Sequence, residues 1–216
     1  MLTKQLLDTT RGRIVTRLQA RSLTVDELAT HLGLTPNAVR SQLTGMERDG
    51  LVRRTGLRPG TTRPSHIFEL TSEVEYLLSR AYIPLLSQLV QTFASSLPPE
   101  QVEALLRKTG RALGKGLAAG RRPSGSIRSR VTLASQLLNE QLGAQTHVRK
   151  NGRFVIEGDG CPLSALTGKH AGVCLAMESL VGEIVGAPVH ECCVREGRPR
   201  CCFEIGNFQP THLAAR

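Results

Sequence analysis

All six cysteines of this 216-residue chain lie between positions 161 and 202, and none occurs in the first 160 residues. They are Cys161, Cys174, Cys192, Cys193, Cys201 and Cys202. Cysteines that serve only as small core residues are not expected to concentrate in one stretch. The distribution divides the molecule into a thiol-free and a thiol-rich part, and a chain of this length suits one large domain or two small ones.

The chemistry expected of clustered thiols depends on the cellular compartment of the protein. The sequence has no apolar run long enough to span a bilayer, and its first five residues contain no apolar signal core. We therefore expect a cytoplasmic protein with no membrane partner. Structural disulfides are rare in that compartment, so clustered thiols there more often bind a metal or carry out redox chemistry.

The chain is strongly basic, with a formal net charge of +10. Between Pro36 and His66 there are six arginines and only two acidic residues, Glu47 and Asp49. This balance favours an anionic partner, and nucleic acid is the default among anionic partners. The alternative is a basic soluble protein without such a partner.

Two short helices are predicted near the start of this basic segment. Thr24 and Glu27 form a capping box at the start of the first helix, and Gly33 stands where that helix stops. Pro36 occupies the first position of the second helix, where its missing N–H does no harm, and this helix is expected to run to about Arg48. Two short helices joined by a tight turn form a helix-turn-helix.

A predicted hairpin follows the helix-turn-helix. Residues 51–54 form one expected strand, residues 67–70 form the return strand, and residues 55–65 form a basic loop between them. A hairpin in this place makes the domain a winged helix.

The second helix and the wing supply side chains that suit DNA. Asparagine and glutamine can read adenine, and arginine can read guanine, in the major groove. Arginines of the wing suit phosphate or minor-groove contacts. The predicted DNA-binding residues are Thr35, Asn37, Arg40, Ser41, Gln42, Arg53, Arg54, Arg58 and Arg63. The alternative is that they are solvated side chains on a winged helix used for protein contacts.

A long amphipathic stretch over residues 72–97 follows the winged helix, and Pro84 is expected to kink or split it. A second copy of the chain is the economical partner for its apolar side, because a two-fold dimer matches a palindromic operator. Packing against its own chain is the alternative. We therefore predict a DNA-binding domain over residues 1–71, a dimerisation helix over 72–97 and a sensor domain over 98–216.

The sensor domain is predicted to be mixed α+β, so the whole chain is of the α+β class. A predicted hairpin near the end of this domain carries two pairs of neighbouring cysteines. Cys192 and Cys193 lie near the end of one strand, and Cys201 and Cys202 lie near the start of the next. Because neighbours in a strand point to opposite faces, one member of each pair can face a common site while the other does not.

Clustered thiolates are soft ligands that suit zinc and iron–sulfur clusters. Cys174 lies near the start of a predicted helix, where the helix dipole favours a thiolate. The cysteine spacing lacks the tight Cys-x-x-Cys pair of a zinc finger, so zinc is less favoured than a cluster. The alternative is that the cysteines are buried small hydrophobic residues.

Motifs in both halves carry a family resemblance. The amino-terminal motifs, at residues 24–40, 50–52 and 63–71, are shared with many winged helices. The more specific motifs are Cys161-Pro162, Cys174 with Glu178, Gly182 before Gly186, and Gly197 followed by Cys201-Cys202-Phe203. With these features, nearly the whole chain resembles the SufR-like winged-helix regulators, which bind iron–sulfur clusters and control cluster-assembly genes.

The resemblance implies that Cys161, Cys174 and Cys201 bind the cluster. Cys201 matches better than Cys202 because the family's last cysteine stands two residues before an aromatic residue, as Cys201 does before Phe203. The chain departs from the family pattern between Cys174 and Cys201, so the fourth ligand is open. The candidates in order of preference are Cys193, Cys192, Cys202 and His190.

The sequence as a whole predicts a homodimeric repressor that binds a double-stranded DNA operator and senses iron–sulfur cluster or redox status. The resemblance implies control of cluster-assembly genes. Two alternatives are a zinc-stabilised regulator of another signal and a thiol switch whose cysteines form reversible disulfides. An enzyme is not expected, because the sequence shows no Ser-His-Asp pattern, phosphate loop or paired acids in a recognisable frame.

Overall fold

The computed structural model describes residues 8–59, 63–121 and 125–206. The chain forms two compact units, Met1–Arg80 and Ala81–Arg216, and each unit has its own hydrophobic core. Within the described ranges, none of the helices has both the length and the apolar character needed to cross a bilayer.

The amino-terminal unit is a helical layer packed on a small antiparallel sheet of order β1–β3–β2. Its largest buried side chains include Ile14, Leu28, Leu43, Met46 and Leu70. Its described elements in chain order are α1 (Thr10–Ala20), β1 (Leu23–Thr24), α2 (Val25–Leu32), α3 (Pro36–Arg48), β2 (Val52–Arg58), β3 (Ser65–Leu70) and α4 (Ser72–Leu78).

The helix boundaries predicted from local sequence are confirmed. The Thr24 hydroxyl accepts the N–H of Glu27, and the Glu27 carboxylate accepts the N–H of Thr24, which completes the capping box of α2. Gly33 follows Leu32 in the left-handed region, at a φ of 66°, which favours glycine because it has no Cβ. Pro36 is the first residue of α3.

The predicted hairpin is confirmed, and its strands are longer than expected. β2 extends to Arg58, and β3 begins at Ser65. Residues 60–62 of the predicted basic loop lie outside the described residues. The sequence pattern does not predict β1, because two residues are too few to show the alternation of a strand.

The stretch over residues 72–97 is two helices rather than the single long helix of the prediction. The first is α4, which ends at Leu78, and the second is α5 (Tyr82–Ser96). The split agrees with the expected effect of Pro84, which is the third residue of α5. Proline fits the first turn of a helix, where its missing N–H has no helical partner, but not a helix interior.

The carboxy-terminal unit combines α5 with further helices and a four-stranded antiparallel sheet of order β4–β5–β7–β6. The predicted α+β class is confirmed. The elements that follow α5 are α6 (Pro99–Leu117), α7 (Ile127–Leu142), β4 (Thr146–Asn151), β5 (Arg153–Gly158), α8 (Ser164–Thr167), α9 (Val173–Val185), β6 (Val189–Glu191) and β7 (Cys202–Ile205).

The helices α6 and α9 pack so closely that their backbones are in contact. A Cβ atom on Gly110 of α6 would lie 2.0 Å from the carbonyl oxygen of Ala176 in α9, and one on Gly114 would lie 2.8 Å from that of Leu180. Real Cβ atoms do not approach an oxygen so closely, so both positions require glycine. This contact places α9, which carries Cys174 near its start, directly against α6.

Candidate functional site

Four of the six cysteines lie in the connection between β6 and β7 or at its edges, and they face each other in two pairs. The N–H of Cys192 donates to the carbonyl of Cys202 at 2.8 Å, so the two strands stay paired beyond the last residue of β6. Cys193 and Cys201 are the next facing pair along the same hairpin.

Cys192 and Cys202 form a disulfide, with their Cα atoms 4.9 Å apart. The preferred prediction of metal-binding thiols does not include this bond, since structural disulfides are rare in the cytoplasm, whereas the thiol-switch alternative expects disulfides among these cysteines. In this state neither residue offers a thiol, so of the candidates for the fourth ligand Cys193 and His190 remain. The free cysteines are Cys161, Cys174, Cys193 and Cys201, the same four that the sequence analysis selected as ligands.

These four free thiols form one contiguous row, which we call the thiol row. Cys161 contacts Cys201, Cys201 contacts Cys193, and Cys193 contacts Cys174. Cys174 and Cys201 are buried, and the other two are half-buried. The fold thus brings all four predicted ligand residues together, from a loop, a helix and both arms of a hairpin.

Backbone hydrogen bonds hold the loop after β5 against β7. The N–H of Gly158 donates to the carbonyl of Cys201 at 2.9 Å, and the N–H of Cys201 donates to the carbonyl of Gly160 at 3.3 Å. Cys161 follows Gly160 directly, so these two bonds position it beside Cys201. At the other end of the row, Cys174 is the second residue of α9.

Proton sharing divides the thiol row into hydrogen-bond donors and acceptors. The pKa of Cys193 is lowered because Cys174 and Cys201 donate to its sulfur. Donation from Cys201 lowers the pKa of Cys161 to about 7. The pKa of Cys201 is raised because its proton is held by Cys161 and Cys193, and the pKa of Cys174 is raised by donation to Cys193. Hydrogen-bond donation within the row therefore favours the thiolate forms of Cys193 and Cys161, and the donation from Cys174 to Cys193 outweighs the effect of the helix start on Cys174.

Glu191 adds an oxygen that the sequence analysis missed. Its carboxylate oxygen and the sulfurs of Cys174 and Cys193 all lie within 4.8 Å of one another, a spacing that can hold one metal ion. Burial raises the pKa of Glu191, and Arg195 contacts both Glu191 and Cys174. The available signal was spacing, because Glu191 and Cys193 are two residues apart near a strand, where such positions share a face.

Glu178 supports the backbone beside the thiol row. Its Oε2 atom accepts the N–H of Glu191 at 2.9 Å, and its Oε1 atom accepts a hydrogen bond from Arg107. His190, the other remaining candidate for the fourth ligand, is exposed and has its Nδ1 atom 3.9 Å from the Glu178 carboxylate.

The outer face of α3 carries most of the predicted base-contacting residues. Nη1 of Arg40 donates to Oδ1 of Asn37 at 2.8 Å, which holds the two side chains together. The Thr35 hydroxyl caps the helix by accepting the N–H of Ala38, while Gln42 is half-buried. The exposed members of the predicted set on this helix and its N-cap are Thr35, Asn37, Arg40 and Ser41.

Three of the four arginines predicted in the wing are paired with carboxylates of their own unit. The pairs are Arg53 with Glu69 (3.7 Å), Arg54 with Glu47 (2.8 Å) and Arg58 with Glu27 (2.5 Å). These carboxylates reduce the positive charge that the three arginines present to a phosphate. Arg63 is exposed.

The fold of the amino-terminal unit agrees with its sequence relationships. Its helix-turn-helix, α2 and α3, is followed by the β2–β3 hairpin, and β1 adds to the same sheet. Residues 3–61 match the sequence family described as the DprA winged helix domain. The amino-terminal unit is a winged helix. The match ends before the cysteine-bearing unit, so the resemblance to SufR-like regulators stays a prediction.

Solved structures with some similarity include transcription regulators. Reduced HlyU from Vibrio cholerae is 29% identical over 41% of this chain and 83% of its own, with a TM-score of 0.27. MepR, a transcription regulator of the Staphylococcus aureus multidrug efflux pump MepA, is 25% identical over 48% of this chain and 82% of its own, with a TM-score of 0.29. A comparison with curated proteins finds no match.

Proposed function

We propose that this chain is a homodimeric DNA-binding transcriptional repressor whose carboxy-terminal unit holds a thiophilic metal centre, with an iron–sulfur cluster as the first candidate. One observation carries the proposal: four free thiols meet in one row, while the remaining two cysteines are bonded to each other. As the resemblance implies, the regulated genes would include those for cluster assembly.

DNA binding is supported by the winged helix and by its charge. The exposed pair of Asn37 and Arg40 lies on α3, the second helix of the helix-turn-helix, which is the element that enters the major groove in proteins of this class. The net charge of +10 favours a polyanion. Because most wing arginines are paired with carboxylates, α3 is the main reading element in this proposal and Arg63 is the wing contact.

A dimer is supported by the composition and exposure of α5. The helix contains no charged residue and has no buried residue. Its exposed large side chains are Tyr82, Ile83, Leu85, Leu86, Leu89 and Phe93. Such a surface is costly in water, and a two-fold axis lets the same helix of a second copy cover it. The test is sedimentation equilibrium: Leu89→Glu shifts the protein to monomer, whereas Leu57→Glu, at an exposed position of the wing, does not.

The donor set of the thiol row fits an iron–sulfur cluster. Clusters of the [2Fe–2S] and [4Fe–4S] types are held by four cysteine thiolates, and the row supplies four sulfurs from separate segments. When bound, the cluster supplies a redox-sensitive inorganic group. The protein's part is to hold it: Cys193 and Cys161 favour their thiolate forms, and Cys174 and Cys201 must release their protons on binding.

Zinc is the second candidate, favoured by Glu191. The Cys174–Glu191–Cys193 group offers two sulfurs and one oxygen within 4.8 Å of one another, and zinc accepts such mixed ligands. Replacing Glu191 by Gln separates the two candidates, because a centre held by the four thiols keeps its metal and a centre held by the mixed group loses it.

Anaerobic purification followed by iron, sulfide and zinc analysis tests the centre, with absorbance and EPR spectra. The proposal expects iron and sulfide in wild-type protein and their loss in Cys161→Ser, Cys174→Ser, Cys193→Ser and Cys201→Ser. Cys202→Ser is the control: it removes no sulfur of the row, so the reconstituted variant still contains iron and sulfide even where its affinity is lower. Wild-type protein that contains neither iron, sulfide nor zinc after reconstitution contradicts the proposal.

Regulation requires that loaded and empty protein differ in affinity for DNA. We expect tighter binding by loaded protein to a duplex selected from a random pool. Equal affinity of the two forms, measured at one salt concentration, contradicts the sensing role and leaves the metal centre as a structural element.

A further inference from the structure

The Cys192–Cys202 disulfide has no role in the proposed metal centre, yet it lies directly beside the thiol row. We propose that Cys192 and Cys202 are a second redox site of this protein, a dithiol–disulfide couple that exchanges with a dithiol reductant. Its state adjusts the thiol row through the hairpin that both share.

The couple is more open to an incoming thiol than the buried part of the row. Cys192 and Cys202 are half-buried and line a cavity of about 240 Å³, together with Asp159 and Arg200. Cys201 also borders this cavity, but only 4% of it is exposed. A reductant that enters the cavity therefore meets the disulfide first.

The alternation of the hairpin keeps the two redox sites apart. Cys192 bonds to Cys202 across the strands, whereas their neighbours Cys193 and Cys201 contact the other thiols of the row. Exchange at the disulfide therefore consumes none of the four row thiols, and the row does not need the sulfurs of the couple.

The exchange reaction is balanced by the reductant. A thiolate of the dithiol attacks one sulfur, the S–S bond breaks, and the other cysteine leaves as a thiolate that takes up a proton. The second thiol of the reductant then displaces the remaining cysteine and closes its own disulfide. The couple gains two electrons and two protons, and the dithiol loses the same.

Coupling to the row passes through the backbone of Cys202. The Cys202 N–H donates to the sulfur of Cys193 at 3.3 Å, and Cys193 contacts two other thiols of the row, Cys174 and Cys201. When the cross-link opens, only the backbone hydrogen bond from Cys192 to Cys202 still holds the two residues together, so Cys202 is less constrained and its hydrogen bond to Cys193 loosens. Outer hydrogen bonds to ligand sulfurs tune metal sites, so the coupling rests on the proposed metal centre, whereas the couple itself does not.

Thiol counting tests the couple without any metal. Metal-free full-length protein is equilibrated anaerobically with mixtures of reduced and oxidised dithiothreitol, quenched with acid, alkylated and weighed. We expect six alkylated cysteines under the most reducing mixture and four under milder ones, with peptide mapping placing the loss at Cys192 and Cys202. Cys161→Ser should go from five to three, whereas Cys192→Ser should stay at five. The proposal is overturned if a row cysteine is among the two that escape alkylation. It is also overturned if the number of alkylated cysteines never changes by two between the mixtures.

Cobalt binding tests the coupling. Co(II) is titrated into metal-free oxidised wild-type protein and into the Cys192→Ser/Cys202→Ser double variant, with thiolate-to-cobalt absorption as the readout. We expect the double variant to bind about tenfold more weakly, as is typical when outer-shell support of a metal site is lost. Equal affinity overturns the coupling. Absence of cobalt binding in both proteins overturns the coupling and counts against the proposed metal centre, while thiol counting decides the couple separately.

Discussion

Nη1 of Arg107 in α6 lies 2.6 Å from Oε1 of Glu178 in α9, and only 12% of the Glu178 side chain is exposed. The other oxygen of the same carboxylate accepts the N–H of Glu191 at 2.9 Å. One carboxylate thus connects two helices to the strand that leads into Cys193. This connection gives the hairpin a fixed support on the side of the thiol row.

Removing that carboxylate should destabilise the carboxy-terminal unit. Glu178→Ala leaves a partly buried guanidinium and a backbone N–H without their acceptor, which costs about 1–3 kcal/mol. The matched control is Glu140→Ala, which breaks an exposed ion pair with Arg121 and should cost less than about 1 kcal/mol. Urea unfolding followed by circular dichroism measures both, and equal losses would contradict the structural role of Glu178.

Substitution by alanine should have opposite effects on stability at Gly110, which faces α9, and at Gly116, which does not. Gly110→Ala forces a methyl group against a backbone carbonyl, so the helices must separate, at a cost of about 3 kcal/mol. A methyl group at Gly116, on the same helix, would point into open space, with no neighbouring element within 4 Å. Gly116→Ala should therefore stabilise the protein by about 0.5–1 kcal/mol. Thermal unfolding shows whether each substitution raises or lowers stability relative to wild type. A Gly110→Ala protein as stable as wild type would contradict the close contact between the helices.

Arg40 should matter for DNA affinity beyond its charge. Arg40→Ala removes a side chain of the exposed face of α3, and loss of such a contact costs about 1–3 kcal/mol. Arg17→Ala removes the same charge from an exposed position of α1 and should change affinity far less. Fluorescence anisotropy with the selected duplex compares them at several salt concentrations, and a similar loss in both variants would indicate binding by net charge alone.

Acid should weaken the winged helix partly through Glu27. The Thr24 N–H, the Thr24 hydroxyl and Arg58 hold the pKa of Glu27 below its usual range. A carboxyl whose pKa is lower in the folded state contributes stability above its unfolded pKa, and this contribution is lost as the pH falls through the folded pKa.

The variant Glu27→Gln isolates this contribution. It should be less stable than wild type at neutral pH and should lose less stability on acidification below about pH 4.5, near the ordinary glutamate pKa. Asp26→Asn removes an exposed carboxylate from the same turn and serves as the control. The free energy of unfolding is measured against pH for each protein. If it falls equally with pH in wild type and Glu27→Gln, the pKa of Glu27 is not lowered in the folded state.

Local signals account for the parts of the fold that the sequence predicts well. The Thr24–Glu27 capping box, Gly33 and Pro36 each act within one helical turn, so the boundaries of α2 and α3 can be predicted without knowing what packs on them. Strand β1 lacks such a signal, because its two residues are defined only by their partners in β3. The split before Pro84 lies between these cases: the proline predicts a break, but packing decides where it falls.

The candidate site shows the same division. The choice of Cys161, Cys174 and Cys201 comes from the family resemblance, with Cys193 preferred as the fourth ligand. The clustering of the cysteines and their alternation in the hairpin follow from spacing along the chain. The order of the thiols along the row does not, because contacts between distant segments decide it. Proton sharing cannot be predicted from local sequence either. The position of Cys174 at a helix start favours a thiolate, but its hydrogen bond to Cys193 raises the pKa of Cys174 and lowers that of Cys193.

The uncharged surface of α5 has a consequence for how the protein can be studied. In the proposed dimer, burial of this apolar surface would drive association, and added salt does not screen such burial. Binding to DNA depends on counterion release and falls steeply with salt. Ionic strength should therefore separate the two equilibria, releasing the duplex while the subunits stay together.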